Sequence, residues 1–195
     1  MPWEKAFDMD TALDKATSVF AKKGFEATSM SDLTQAMQIN KGSLYNAFGS
    51  KKELFDRALA RYDQQNRAAR LAELRQWDNP KAAIDALFQG LIDTAKADPE
   101  HLGCFVINTA QDMPNHSDTV NALIRQSIEQ IETFFHDMIV AGQASGHIAL
   151  STDPEKTAKG LLSLFVGMRV LSRGGVELQA FDAIKSSAMQ LLPAP

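Results

Sequence analysis

The chain has 195 residues, 45% of them hydrophobic, a formal net charge of -4 and a single cysteine. That apolar content excludes a disordered chain and allows one large domain or a small domain joined to a larger one. No apolar run reaches the roughly 18–20 residues that span a bilayer, the opening MPWEKAFDMD has no apolar leader stretch, and one cysteine closes no intrachain disulfide, so a reducing, cytoplasmic setting is expected.

In chain order the pattern is helical, without a convincing strand or an internal repeat. Leu13, Ala16, Val19 and Phe20 recur at helical spacing, and the segment ends at Gly24. Met30, Leu33, Ala36 and Met37 predict a short second helix capped by Thr28 or Ser29, and Leu44, Ala47 and Phe48 a third opening at Asn40. A fourth starts at Ser50, carries Leu54, Phe55, Ala58, Leu59 and Tyr62, and runs to about Trp77, where Asp78-Asn79-Pro80 breaks it. Longer helices follow, over about 81–97, 104–111 and 117–145. Asp153-Pro154 caps another that ends at Gly174-Gly175, and a last one covers roughly 178–192. The expected fold is all-α, with a domain over residues 1–60 and a second, helical domain over 61–195.

Charge is unevenly spread. Residues 1–60 hold eight basic and eight acidic side chains, so the deficit of four lies in the remainder. Residues 40–61 are locally basic: Lys41, Lys51, Lys52, Arg57 and Arg61 face only Glu53 and Asp56. Lysine in a first helical turn opposes the helix dipole by about 0.3–1 kcal/mol, yet Lys41 and Lys51-Lys52 open two successive helices. A polyanion placed there would satisfy lysines and free helix amides together.

Helices two and three are joined by only Gln38 and Ile39, a helix-turn-helix arrangement with residues 40–48 as the recognition helix. Asn40 can cap the amide of Gly42 or Ser43, and Gly42 permits close backbone approach. Lys41, Ser43, Tyr45 and Asn46 supply donors, with Asn46 able to read adenine and Lys41 to reach guanine or phosphate. Ser50-x-x-Glu53 matches a capping box that fixes the start of helix four and aims Lys51 at the same anion.

Residues 28–55, TSMSDLTQAMQINKGSLYNAFGSKKELF, resemble the DNA-binding signature of the TetR (tetracycline-repressor-like, TetR/AcrR) family, and the match starts near Asp10. The resemblance implies a DNA-binding transcriptional regulator, most often a repressor, that binds a palindromic double-stranded operator as a homodimer and is released by a small-molecule effector. It implies that Thr28, Tyr45 and Lys51 hold phosphates, and that Lys41, Gly42, Ser43 and Asn46 lie against bases and the adjoining backbone. Two positions depart from the pattern. Gln38 stands where glycine is usual, and in a left-handed conformation this costs roughly 1–2 kcal/mol. The N-terminal segment sets Lys5 against Glu4, Asp8 and Asp10, a poor arm for a minor groove.

The resemblance further implies that the last two helices pair with their mates, with Gly160, Ser163, Leu164, Gly167, Ile184 and Leu191 at the interface. Independently, Gly160, Ser163 and Gly167 form a row of small residues on one helix face, which suits close packing within or between chains. The preceding helices would enclose a ligand. Apolar wall candidates are Phe88, Leu91, Phe105, Phe134, Phe135 and Met138, and polar candidates are Asn108, Gln111, His136 and His101. The same apolar residues would also build any helical core. Cys104, at a helix start near His101, has two readings: a redox or electrophile sensor, or a small buried apolar residue. The histidines are scattered without metal-ligand spacing, and no cofactor is expected. No phosphate loop, nucleophile elbow or metal box supports an enzyme. A helical interaction module without DNA binding is the remaining alternative, and steep salt dependence of binding separates the two.

Overall fold

The structure, a computed structural model, describes residues 7–195; Glu4 and Lys5 of the N-terminal segment lie outside that range. Every regular element among the described residues is helical. Three helices, α1 (Met9–Ala27), α2 (Met30–Met37) and α3 (Lys41–Phe48), lead into α4 (Lys51–Asp63). A π-helical turn over Gln64–Ala68 joins α4 to α5 (Ala69–Leu74), followed by α6 (Pro80–Lys96), the short α7 (Phe105–Ala110), the long α8 (Asp118–Ala144), α9 (Pro154–Arg173) and α10 (Leu178–Gln190).

Local chemistry sets most of the starts. Side-chain oxygens of Asp8, Asn40, Ser50, Asn79, Ser117 and Asp153 each accept a bond from a first-turn amide, and Pro80 and Pro154 follow two of them at the first helical position. Of the two candidates for the α2 cap, Ser29 holds the place: its hydroxyl accepts from the Asp32 amide while the Asp32 carboxylate accepts from Ser29. At Gly24 α1 is interrupted by a left-handed residue (φ 77°), and the chain resumes helical bonding only briefly before Thr28. The segment expected as one helix to about Trp77 is widened by the π turn and ends at Leu74, three residues early.

Two hydrophobic cores result. One gathers α1 to α4 around Leu13, Phe20, Leu44, Phe55 and Leu59, and also takes in Phe105 and Val106 of α7 and Val120 and Ile124 of α8. The other gathers α5, α6, α8, α9 and α10 around Ile84, Phe88, Phe134, Phe135, Leu161 and Phe181. Two elements run through both: α8, with Val120 and Ile124 in the first core and Ile131 to Ile139 in the second, and the α4–α5 unit, whose π turn marks the crossing. The head-to-body seam is further tied by Ser117 Oγ donating to Asp56 at 3.2 Å and by Arg173 Nη1, which donates to the carbonyls of Ala21 at 3.0 Å and Leu102 at 2.8 Å. Burial raises the Asp56 carboxyl above its ordinary value, against the lowering effect of the Ser117 bond and of Lys52 and His116.

Gln38 ends α2 in the left-handed region (φ 58°, ψ 39°), the conformation glycine adopts most easily. Its side chain is not idle, because Oε1 accepts from Lys15 Nζ at 3.1 Å, but that bond is exposed and worth little. Gln38→Gly is expected to stabilise the protein by about 1 kcal/mol and to raise the melting temperature by about 2–4 °C with DNA binding retained. A lower melting temperature would show that the Lys15 contact outweighs the backbone strain.

Candidate nucleic-acid interface

The α2–α3 pair and the first turn of α4 present one polar face. Leu44 and Phe48 are fully buried and fix α3 by its inner side, which leaves Lys41, Gly42, Tyr45 and Asn46 exposed and Ser43 half-buried on the outer side. The Asn40 carboxamide oxygen accepts from the Ser43 amide at 2.8 Å, one of the two partners the sequence allowed. A Cβ on Gly42 would come within 3.3 Å of that same oxygen, so glycine keeps the cap uncrowded.

Turn geometry then places α4. Gly49 is left-handed (φ 78°), and a Cβ there would collide with the Glu53 carboxylate, 2.0 Å away. Ser50 Oγ accepts from the Glu53 amide at 3.1 Å, so half of the expected capping box forms while the Glu53 side chain lies over Gly49. Arg57 Nη1 returns from α4 to the Ala47 carbonyl at 3.2 Å, with its guanidinium 5.0 Å from the Phe48 ring. This bond closes the last turn of α3 against α4.

The cations sort into two groups. Lys22 pairs with Glu100, Lys23 with Asp32, and Arg61 with Asp10 and Asp14. The Lys23 ammonium, with the Ser29 amide and hydroxyl, holds the Asp32 carboxyl down to about 2. Lys41, Lys51 and Lys52 have no carboxylate partner among the described residues. Lys41 Nζ instead lies 5.8 Å from the Tyr45 ring centre and Lys51 Nζ 4.4 Å from that of Phe25. Aromatic faces thus orient two of these ammonium groups without neutralising them. Thr28 differs from the other expected contacts. It is buried, its hydroxyl donates to the Gly24 carbonyl at 2.6 Å and its amide to Phe25, so it has no free donor.

The expected ligand wall is dispersed. Phe88, Phe134, Phe135 and Met138 fill the second core, where Phe88 and Phe135 stack with centres 5.8 Å apart. His136 is on the outer face of α8, half exposed. Phe105 packs between Phe55 and Tyr62, and with Asn108 and Gln111 it borders a crevice of about 230 Å³ under the head. Of the named set only Cys104 reaches the cavity at the crossing of the two cores, among Tyr62, Asp63, Arg67, Ser127, Phe165 and Arg169. Sequence reasoning missed those polar members. The available signal was arginine at i+4 from Phe165 on α9, and the Asp63–Arg67 pair at the same spacing from the end of α4 into the π turn. On the last two helices, Ser163 is exposed, Gly160, Leu164, Gly167 and Ile184 are half-buried, and Leu191 is exposed.

The comparisons agree with this geometry. The family described as bacterial regulatory proteins, tetR family, matches residues 12–58, and the tetracyclin repressor-like C-terminal domain matches residues 80–184. The chain belongs to the TetR family of transcriptional regulators. Over 191 residues, 97% of this chain and 90% of the relative, it is 30% identical to the HTH-type transcriptional repressor ComR of Escherichia coli K12. A solved structure of a cysteine-substituted CifR, a TetR-family regulator complexed with 26-bp operator DNA, superposes with a TM-score of 0.81 at 29% identity and covers 96% of this chain and 98% of its own. NemR of Escherichia coli in its reduced form shares the fold, with a TM-score of 0.82 at 17% identity over 95% of this chain and 97% of its own. No described helix of this TetR-family chain is long and apolar enough to cross a membrane, and the described residues hold no cluster of three metal-capable side chains.

Proposed function

We propose that this TetR-family regulator is a cytoplasmic repressor that binds a palindromic operator as a homodimer and is released when a small molecule binds beside the crossing of its two cores. The observation that carries the DNA-binding part is the set of three lysines, Lys41, Lys51 and Lys52, that have no carboxylate partner among the described residues at the starts of α3 and α4. The operator complex of CifR, at 29% identity, supports the same reading. Lys51 and the free amides at the start of α4 would grip one phosphate, and Tyr45 another. Lys41, Gly42, Ser43 and Asn46 would face the major groove, with Asn46 suited to adenine. Thr28 stands outside the phosphate set because both of its donors are used internally. The residues divide into a head, 1–60, and a sensing and dimerising body, 61–195.

One recognition helix reads only a few base pairs, so a twofold pair spaced by one DNA turn is needed for a specific site. The outer face of α9 and α10 suits that pairing. A Cβ on Gly167 would meet nothing within 4 Å, and Val170, Val176, Leu178 and Leu191 expose apolar surface along the same helices.

For the sensing step a second reading rests on Cys104, whose half-buried thiol lines the cavity beside Tyr62. Modification there would place an adduct directly against the end of α4.

Three outcomes are expected. Lys51→Ala lowers operator affinity on every sequence and reduces the slope of log K against log salt by about one, whereas Asn46→Ala relaxes preference at a single base pair; selection of bound sequences from random DNA, followed by salt titration, reads both. If both variants bind like the parent, these contacts are misassigned. Gly167→Arg is expected to shift the protein from dimer to monomer in analytical ultracentrifugation and to weaken operator binding; an unchanged dimer would move the interface elsewhere. Cys104→Ser is expected to leave operator binding intact, and wild-type release of this variant by oxidants and electrophiles would remove the thiol reading.

A further inference from the structure

The cavity at the crossing of the two cores carries an unbalanced charge. Its charged wall residues are Asp63, Arg67 and Arg169. Asp63 and Arg67 cancel: both are largely buried, and Arg67 Nε donates to Asp63 Oδ1 at 2.7 Å while its Nη1 donates to Gln130 at 2.8 Å. Arg169 is left over. Its Nε is sealed from solvent with no acceptor, no carboxylate pairs with it among the described residues, and its guanidinium carbon lies 5.7 Å from the Phe165 ring centre. A buried guanidinium N–H without an acceptor is costly in the unliganded protein.

Position gives Arg169 a second property. It also borders, together with Asn66, an outer groove of about 380 Å³ between the π turn, α5 and α6. The inner cavity is only about 30 Å³, room for about two water molecules. The outer groove has the size of an ordinary small-ligand site, and its floor includes the apolar Leu87 and Leu91 beside Gly90. Its own charged pair is already closed, since Arg70 donates to Glu73 at 2.7 Å. Arg169 is therefore a cation without a carboxylate partner among the described residues that borders both the small inner cavity and the open outer groove. Tyr62 adds a neutral donor on the inner side, because burial pushes its phenol up and keeps it protonated.

We propose that Arg169 receives the carboxylate of a small organic acid whose apolar body lies along Leu87 and Leu91 in the outer groove. A carboxylate there would pair with the terminal nitrogens of the Arg169 guanidinium, which unlike Nε are not sealed, and the acid makes contact next to Asn66 in the π turn that follows α4. That the acid acts as an effector rests on the repressor reading above; that it binds does not.

The test uses the full-length protein and four named probes: hexanoate and benzoate, with hexanamide and benzamide as neutral counterparts of nearly the same shape. Calorimetric titration is expected to give affinities for the acids at least about tenfold tighter than for the amides, the range for a charge-assisted bond. Arg169→Met is expected to erase that difference while binding operator DNA as the parent does. Arg169→Lys, which keeps the charge and loses the planar fork, is expected to fall between. Equal binding of acids and amides, no binding of either acid, or undiminished acid binding by Arg169→Met would each overturn the proposal. The acid–amide contrast in the parent protein needs no variant to fold. Adding the acids to a preformed operator complex separates the two claims: acids that bind through Arg169 yet leave the operator bound uphold the site and refute release through it. Operator released by neutral compounds alone, with no acid binding, upholds the repressor reading and refutes the site.

Discussion

The Asp63–Arg67 ion pair sits at the passage from one hydrophobic core to the other. Asp63 is 6% exposed and both side chains are tied by paired bonds, with Gln130 of α8 joined to the same guanidinium. Such a pair is poor as net stabilisation, since hydrophobic replacements of equal volume are often neutral or better. Losing one partner, by contrast, strands a buried charge at a cost of about 3–5 kcal/mol. What the pair does fix is register: it holds α4 at its π turn against the middle of α8, the two elements that both cores share. The positions of the head, of the cavity and of Arg169 all follow from that crossing.

The electrostatics of the head follow a different logic. Most of the described acidic side chains of α1 to α4 have partners of their own. Asp8 caps α1, Asp10 and Asp14 hold Arg61, Asp32 serves Ser29 and Lys23, Asp56 turns toward Ser117, and Glu53 lies over Gly49. Lysines that oppose their own helix dipoles by about 0.3–1 kcal/mol each therefore remain free, oriented by Tyr45 and Phe25. A chain of net charge -4 can in this way present a locally cationic face.

What was legible in the sequence was local. The caps at Asn40, Ser50 and Asp153 use a side chain and an amide three residues apart, so they need no tertiary knowledge, and the glycine and proline breaks are of the same kind. The left-handed Gln38 came instead from the resemblance, since glycine is usual at that turn, and the structure places it at φ 58°. The cavity was not legible. Phe88, Phe134 and Phe135 have the same helical spacing whether they line a void or fill a core, and three-dimensional packing alone decides between the two. Glu53 shows the limit even of local patterns: its spacing from Ser50 fits a reciprocal cap, but the left-handed Gly49 opens a place for its carboxylate. Arg169 was hidden in a run of apolar residues where a single arginine reads as a solvated end; its meaning depends on the Asp63 charge already being taken by Arg67 from another helix.

The same crossing makes α4 a lever. From Lys51 to Asp63 the helix is about 20 Å long, and its two ends belong to different tasks, one carrying the lysine assigned to a phosphate and the other ending on the cavity wall. A tilt of about 5° at the π turn moves the Lys51 end by roughly 1.5–2 Å over that length, enough to break a charge-assisted bond that works near 2.8 Å. In the proposed twofold dimer both heads would tilt, and the error in the spacing of the recognition helices would double. A π turn is a suitable pivot, since it locally replaces the i→i+4 ladder with wider i→i+5 bonds such as Ala69 N–H to the Gln64 carbonyl, while Ser117–Asp56 and the Arg173 bonds to Ala21 and Leu102 restrain the head on the opposite sides. A ligand therefore does not have to remodel either hydrophobic core. Under the proposed release by a small molecule, it would have only to favour a tilted α4 over the one observed, and its differential affinity would set how far the operator-bound population shifts.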